Sequence, residues 1–351
     1  MPIYKKNQVL VFLKQFEELG IDAQGINQFK IPYGKASLQN SKLKNSGEKI
    51  SPASPASPAF PIPSPQSPLI NSMRTWSDNP QSLRLDWIAV AFFATIHVLA
   101  LLAPWFFSWS ALGVAVFLHW LFGSIGVCLG YHRMLSHRSL RVPKWLEYAI
   151  AILGALSIQG GPIFWVAGHR LHHAHTEDEY KDPYSARRGF WWSHMLWILY
   201  PNRQFFDYEC YQRYAPDLAR DAFYCWLNRY FLWLQIPVAL LLYVLGGWSF
   251  IIYGVFVRAV ILWHTTWFIN SVTHLWGYRT FDCDDNSRNL WWAAILTYGE
   301  GWHNNHHAYP HVAKCGWRWW EIDITWWAIA LLKTVGLAKD VNLPPTQVAK
   351  S

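Results

Sequence analysis

Gly299-Glu300-Gly301-Trp302-His303-Asn304-Asn305-His306-His307 sets three histidines at i, i+3 and i+4. On an α-helix that spacing puts the imidazoles on one face, within one turn of each other. His169-Arg170-Leu171-His172-His173 repeats it. His132 and His137 lie five apart after an apolar run, and Asn270 and His274 lie four apart at the end of another. Nine of the chain's 15 histidines and one amide thus fall in four short clusters. Neutral imidazole is the commonest metal ligand. Nine are too many for one ion and suit two. A solvated polar helix face explains one triplet but not this whole set. His132 and His137 would be about 140° apart on an ideal helix, so the helix is expected to end or bend between them. Glu177, Asp178, Asp182 and Glu300 are expected to accept from the second ring nitrogens. His175 and His311 extend clusters without the spacing, and His194 and His264 are ambiguous.

Elements built for a bilayer must position these clusters. Of 351 residues 52% are hydrophobic and 15% charged, with 24 Trp, far from a soluble domain. Residues 87–108 are apolar and long enough to cross a membrane, and a second run covers about 111–130. Two more, about 226–246 and 249–271, flank a turn at Gly246-Gly247-Trp248, with Pro237 expected to kink the first. Residues 145–166 are also apolar, but a crossing there would separate His132 from His169. They read as a helix on the membrane or in a cytosolic cap, interrupted at Gln159-Gly160-Gly161-Pro162. His97 and His119 lie within spans and read as bonded to neighbouring helices. Arg258 lies in the last span with no carboxylate in any span to pair it.

Lys plus Arg number 10 in residues 1–85, 11 in 131–222 and 7 in 272–351, and none lies in the two short turns. The positive-inside rule then sets both termini and every histidine cluster on the cytoplasmic side. The expected fold is an all-α membrane protein: four transmembrane helices in two hairpins, with a cytosolic helical cap holding a dinuclear metal site. Residues 1–75 read as a disordered N-terminal extension and Pro/Ser-rich linker, with a short amphipathic helix within 1–35 as the alternative, 76–345 as the membrane domain, and 346–351 as a tail. Trp317 to Leu337 reads as an interfacial helix. The net charge of +8 reads as lipid contact, with no nucleic-acid groove. Cys128, Cys210, Cys225, Cys283 and Cys315 show no ligand spacing and fit a reducing compartment.

Nearly pure imidazole ligation suits Zn, Cu, Fe or Ni. Beside lipid, such a pair of ions suggests oxidation of an apolar substrate, because unactivated C–H bonds offer no acid, base or nucleophile route. A metal transporter would place its ligands near the bilayer midplane, whereas these follow the helix ends.

The boxes His132-Arg-Met-Leu-Ser-His137, His169-Arg-Leu-His172-His173 and His303-Asn-Asn-His306-His307 resemble those of the membrane fatty-acid desaturases. Asp182-Pro-Tyr-Ser-Ala-Arg-Arg-Gly-Phe190, Trp267-Phe-Ile-Asn-Ser-Val-Thr-His274 and Gly299-Glu-Gly-Trp-His303 resemble the delta-9 branch. Trp319-Trp-Glu-Ile-Asp-Ile-Thr-Trp326 resembles the cyanobacterial acyl-lipid type. The likeness covers about 80–345. It implies a cis delta-9 double bond placed in a saturated, lipid-linked C16 or C18 chain by two irons, O2 and two electrons. It implies ligands at His132, His137, His169, His172, His173, His274, His303, His306 and His307, with Asn270 reaching a metal through water. No cytochrome b5 motif is visible, so the implied donor is a separate protein, ferredoxin. An acyl-CoA desaturase and a di-iron hydroxylase remain as alternatives. Trp120 is a candidate floor for the acyl slot, and Arg187 and Arg188 are candidate substrate contacts at its mouth. Leu196 to Arg203 is apolar where acyl-CoA enzymes are basic, which favours a glycerolipid substrate.

Overall fold

The computed structural model describes residues 84–201, 205 and 208–345. The N-terminal extension, the Ser/Pro-rich linker, Asn202, Arg203 and the 346–351 tail lie outside the described residues. The described residues are helical, without strands and with only isolated bridges.

Helix α1 (Trp87–Ala100) opens on Asp86, whose Oδ1 accepts from the Ile88 and Ala89 amides at 2.9 and 3.1 Å. Helix α2 (Trp109–Ser136) starts at Ser108, whose Oγ accepts from Ala111 N at 3.1 Å. It is α-helical to Trp120 and a π-helix from Leu121 to Ser136. Helices α3 (Lys144–Ala155) and α4 (Pro162–Ala174) follow, separated by the Gln159–Pro162 break. A short bent helix, α5 (residues 192–199), precedes the second long apolar run, Gln235–His274. That run is broken at Gly246 and at Gly247 (φ 61°, ψ −150°), a conformation glycine alone adopts readily. It therefore forms two arms, α6 (235–245) and α7 (248–274). Pro237 does not kink a span. It sits in the first turn of α6, where its missing N–H costs no helix bond. The short helices α8 (Trp291–Leu296) and α9 (His303–Ala308) carry the last box, and α10 (Ile324–Thr334) closes the described chain. The Trp317–Leu337 stretch is thus helical only from Ile324, because Glu321 and Asp323 bind the preceding turn's amides.

Two helices, Trp109–Ser136 and Gln235–His274, are long and apolar enough to cross a membrane. Their outward side chains are apolar, as at Val116, Leu240 and Val244. Helix α3 does not lie apart from the spans; it packs along the π-helical half of α2. A Cβ on Gly126 would meet Gly154 N and Leu153 C at 2.5 Å, and one on Gly130 would meet Ile150 Cγ2 at 2.6 Å. Small residues let these backbones approach closely. Ile150, Ala151, Val166, Leu227 and Ile329 fill one core, so α2, α3, α4, the 222–230 helix and α10 share it. On the other side, Phe92, Phe93 and Ile96 of α1 pack with Trp263 and Trp267 of α7 and with Met195 and Ile198 of α5.

The α2–α3 contact yields a stability test. Gly126→Leu should lower the melting temperature of the detergent-extracted protein, at a cost of at least about 1–3 kcal/mol. Gly113→Leu, with nothing within 4 Å of its added Cβ, should not. Equal melting temperatures for the two variants would show that the contact is not tight.

Candidate metal centre

The four sequence clusters meet as two groups of imidazoles. His132, His137, His169, His173 and His306 form one group; His172, His274, His303 and His307 form the other. Within each group the nitrogens lie within 4.8 Å of one another. Neither triplet serves a single group, contrary to the one-face reading. Adjacent residues on a helix point about 100° apart. His172 and His307 therefore turn to the second group while His173 and His306 turn to the first. The π-helix settles the first pair: His137 N donates to His132 O at 3.1 Å, five residues back. A five-residue turn puts both rings on one side, with centroids 4.9 Å apart. The helix also ends there, as expected, at Ser136.

Carboxylates set which ring nitrogen is free. His172 Nδ1 lies 2.9 Å from Asp182 Oδ2, His274 Nδ1 3.2 Å from Glu177 Oε1 and His307 Nδ1 2.7 Å from Asp285 Oδ2. His132 Nδ1 lies 2.9 Å from Glu300 Oε2. An Nδ1–H donated to a carboxylate leaves Nε2 with a lone pair, and the Nε2 atoms of neighbouring rings face each other. His132 Nε2 is 3.1 Å from His306 Nε2, His306 Nε2 is 3.0 Å from His173 Nε2, and His274 Nε2 is 3.1 Å from His303 Nε2. At that distance one nitrogen of a pair donates to the other unless a cation takes both lone pairs. His307 Nε2, nearly enclosed, has no hydrogen-bond partner at all. Burial holds the His137, His169, His173, His303 and His306 rings well below the usual imidazole range and brings His307 to about 4, even beside Asp285. The rings are therefore neutral and able to ligate. Converging, neutral, carboxylate-oriented imidazoles fit two transition-metal ions.

A buried ionic chain anchors the first group. Burial alone would raise the Glu300 pKa, but Arg133 and His132 bring it down to about 2. Arg133 Nε donates to Glu300 Oε1 at 3.0 Å, and its Nη atoms donate to both oxygens of Asp323 at 2.9 and 3.0 Å. Asp323 in turn accepts from Trp326 N, capping α10.

A cavity of about 590 Å³, counting its open mouth, ends on these clusters. It is lined by His132, His169, His172, His303 and Asn270 and, about two turns back along α2 and α7, by Gly123 and Leu262, with Leu296 and Tyr298 also in its wall.

A fatty acid desaturase family model matches residues 107–332. The chain belongs to the fatty acid desaturase family. It is 72% identical over 268 residues to an sn-2 palmitoyl-lipid 9-desaturase of Nostoc sp. (strain 36), covering 76% of this chain and 94% of that protein. It is 48% identical to an sn-1 stearoyl-lipid 9-desaturase of Anabaena variabilis (76% and 96% covered) and 45% identical to delta-9 acyl-lipid desaturase 2 of Arabidopsis thaliana (74% and 84%). The protein is a membrane-bound oxidoreductase.

The structure also places the other residues of this desaturase that its sequence singled out. Asp178 caps a turn through the Tyr180 and Lys181 amides instead of meeting a cluster. Asp285, not anticipated, takes the fourth carboxylate role; only its place in an acidic loop pointed to it. Asn304 and Asn305 lie between the histidines of the last box. Asn304 Oδ1 accepts from the Thr280 and Phe281 amides, and Asn305 Nδ2 donates to Cys315 O and Glu321 Oε2, stapling two loops to α9. Trp120 packs on Phe117 and is not among the cavity's lining residues. Arg187 Nε lies 3.4 Å from Glu177 Oε2, and the Arg188 guanidinium stacks 3.2 Å from the Trp192 ring centroid; neither lines the cavity. His311 Nδ1 donates to His137 O, and His175 meets Tyr214. His97 joins α1 to His264 of α7, and His264 continues to His194.

Two measurements probe this centre. Asp285→Asn removes the anion orienting His307, so metal retention against a chelator should fall about 10–100-fold, while Asp178→Asn should leave it unchanged. Equal retention in the two variants would refute the orienting role. The second is pH. A ring whose folded pKa lies below the ordinary 6.5 leaves the unfolded chain binding more protons at acid pH, so stability falls as pH drops below that value. With chelator present, the melting temperature should fall steadily from neutrality to about pH 5. A flat profile would show that the rings are not held neutral.

Proposed function

We propose that this chain is an O2-dependent desaturase that places a cis delta-9 double bond in a saturated acyl chain carried on a glycerolipid. The observation that carries this reading is the cavity: apolar at its far end, it terminates on two groups of converging imidazoles. A saturated chain gains stability only in an apolar slot, and only a metal centre can attack its methylenes. The names of the similar proteins, acyl-lipid 9-desaturases of cyanobacteria and a plant, support the position of the bond and the lipid carrier. The apolar 196–201 segment supports the carrier less than its composition suggests. In α5, Met195 and Ile198 are packed against α1 and α7, so the segment's character answers to packing.

The nine histidines would hold two irons, five in the first group and four in the second. Asn270, on the cavity wall beside His172 and His303, would complete the second through a water. Two irons with O2 supply the oxidising power that takes one hydrogen from each of two neighbouring methylenes. Reducing O2 to two waters also requires two electrons and two protons from outside the acyl chain, which points to a separate reduced protein, ferredoxin. The chain's own part is placement. Asp182, Glu177, Asp285 and Glu300 fix ring orientation, and the walls around Leu262 and Thr265 hold the acyl chain away from bulk water.

In the membrane, α1, α2, α6 and α7 would form two hairpins. About 20 helical residues span the hydrocarbon, so from Trp109 the crossing ends near Cys128 and His132 emerges just beyond it. Both termini and the metal centre would then be cytoplasmic, with residues 76–345 as the catalytic domain and α3, α4, α8 and α9 as its cap. Exposed apolar side chains on α10, such as Trp327 and Leu331, suit the membrane interface.

The test is a reconstituted assay with reduced ferredoxin, offering the same acyl chain on a glycerolipid or on coenzyme A. A delta-9 product from the lipid is expected, with about two irons per chain, and His306→Ala should lose both iron and product while remaining in the membrane. Turnover of the coenzyme A ester alone would overturn the carrier. Full activity with zinc and no iron would overturn the centre.

A further inference from the structure

Tyr298, an unusual residue, lines the cavity away from the histidines. Tyr298 has φ 60°, in the left-handed region that a bulky side chain rarely adopts. This backbone turn immediately precedes Gly299-Glu300-Gly301, which delivers Glu300 to the metal centre. Its cost is retained at a position where the Tyr298 ring lines the cavity beside Gly123 and Leu262. A Cβ on Gly123 would lie 3.1 Å from Tyr298 Cε2 and 2.9 Å from Leu262 Cδ1, so α2, α7 and the ring already touch across the slot there.

The ring is also tethered. The Tyr298 hydroxyl hydrogen-bonds His119 Nδ1. His119 lies one turn before Gly123 on α2, beyond the lining residues of that helix. One turn before Leu262, on α7, is Arg258. It is 1% exposed, its Nε and Nη1 bonded to Gly254 and Leu156 carbonyls and its guanidinium 4.9 Å from the Phe122 ring centroid. Past the apolar lining, then, the two helices present polar groups. His119 Nε2 and Arg258 Nη2 are buried there without hydrogen-bond partners. A longer acyl chain would have to push the Tyr298 ring aside. That would break its bond to His119 and leave two more polar groups unpaired in an enclosed apolar region, which is costly.

Resting on the reading of the cavity as the acyl slot, the geometry points to Tyr298 as the end-stop of that slot, with His119 as its positioning residue. Together they favour a shorter acyl chain over a longer one, as between palmitoyl and stearoyl. The two classes differ by two methylenes, and hydrophobic pockets discriminate one methylene by about tenfold or more. The stop acts on the methyl end, so it sets chain length and leaves the position of the new bond at carbon 9.

The experiment expresses the full chain in a host whose glycerolipids carry both palmitoyl and stearoyl groups, and reads the ratio of the two delta-9 products. The wild type should make mainly the palmitoyl-derived product. Tyr298→Gly suits the positive φ and removes the ring; it should raise the stearoyl share about tenfold. His119→Ala leaves the strained backbone untouched and frees the ring; it should raise that share by a smaller factor. An active Tyr298→Gly variant with the wild-type ratio overturns the proposal. If that variant makes no product, His119→Ala decides: an unchanged ratio overturns the end-stop and a raised one supports it. Absence of any delta-9 product from the wild type would instead sink the desaturase reading itself, which keeps the two failures distinct.

Discussion

The structure depends on aiming lone pairs. Nine imidazoles can act together only if each is neutral, each shows the same ring nitrogen inward, and none can rotate away. Water would defeat all three conditions by protonating rings and competing for their nitrogens. The fold excludes it by burying the rings and sets the tautomer with an anion behind four of them: Asp182, Glu177 and Asp285 for one group, Glu300 for the other. Each buried carboxylate would be expensive alone. Each is made tolerable by further donors, as Glu177 is by the Asn286 amide and Asp182 by the Glu177 and Tyr184 amides.

Those anions tie the centre to distant parts of the chain. From Glu300, whose Oε2 lies 2.9 Å from His132 Nδ1, through Arg133 and Asp323, a chain of charge-assisted bonds reaches the cap of α10. Arg133 is fully enclosed, so deleting either acid would leave a buried charge without its partner, the expensive case. Asn289, Asn304 and Asn305 do the same with neutral groups, locking α9 to the loops on either side. Such a network specifies one arrangement of loops that carry little regular structure.

The helices supply reach and depth. The π-helical half of α2 widens the turn, so residues five apart share a side, and its glycines let α3 lie against it. The hydrophobic face of α3 answers to α2 and α4. Apolar composition marks both lipid-facing and helix-facing surfaces, and only packing tells them apart.

The sequence alone determined which histidines cluster, the apolar runs and the break at Gly246-Gly247, because each is local: a residue type at a spacing, a hydropathy run, a backbone that only glycine tolerates. It also pointed to three of the four orienting carboxylates, which lie close to the boxes in the chain. Tertiary structure decided the rest. Asp285 comes from a loop 22 residues before His307, and no spacing rule joins them. The division of His172 from His173, and of His306 from His307, between two groups depended on where four helices face one another. Periodicity fixes a side chain's angle about its own axis but not what lies opposite. The end of the cavity was invisible for the same reason, since Tyr298 and His119 stand 179 residues apart and meet only when the last box folds back over α2.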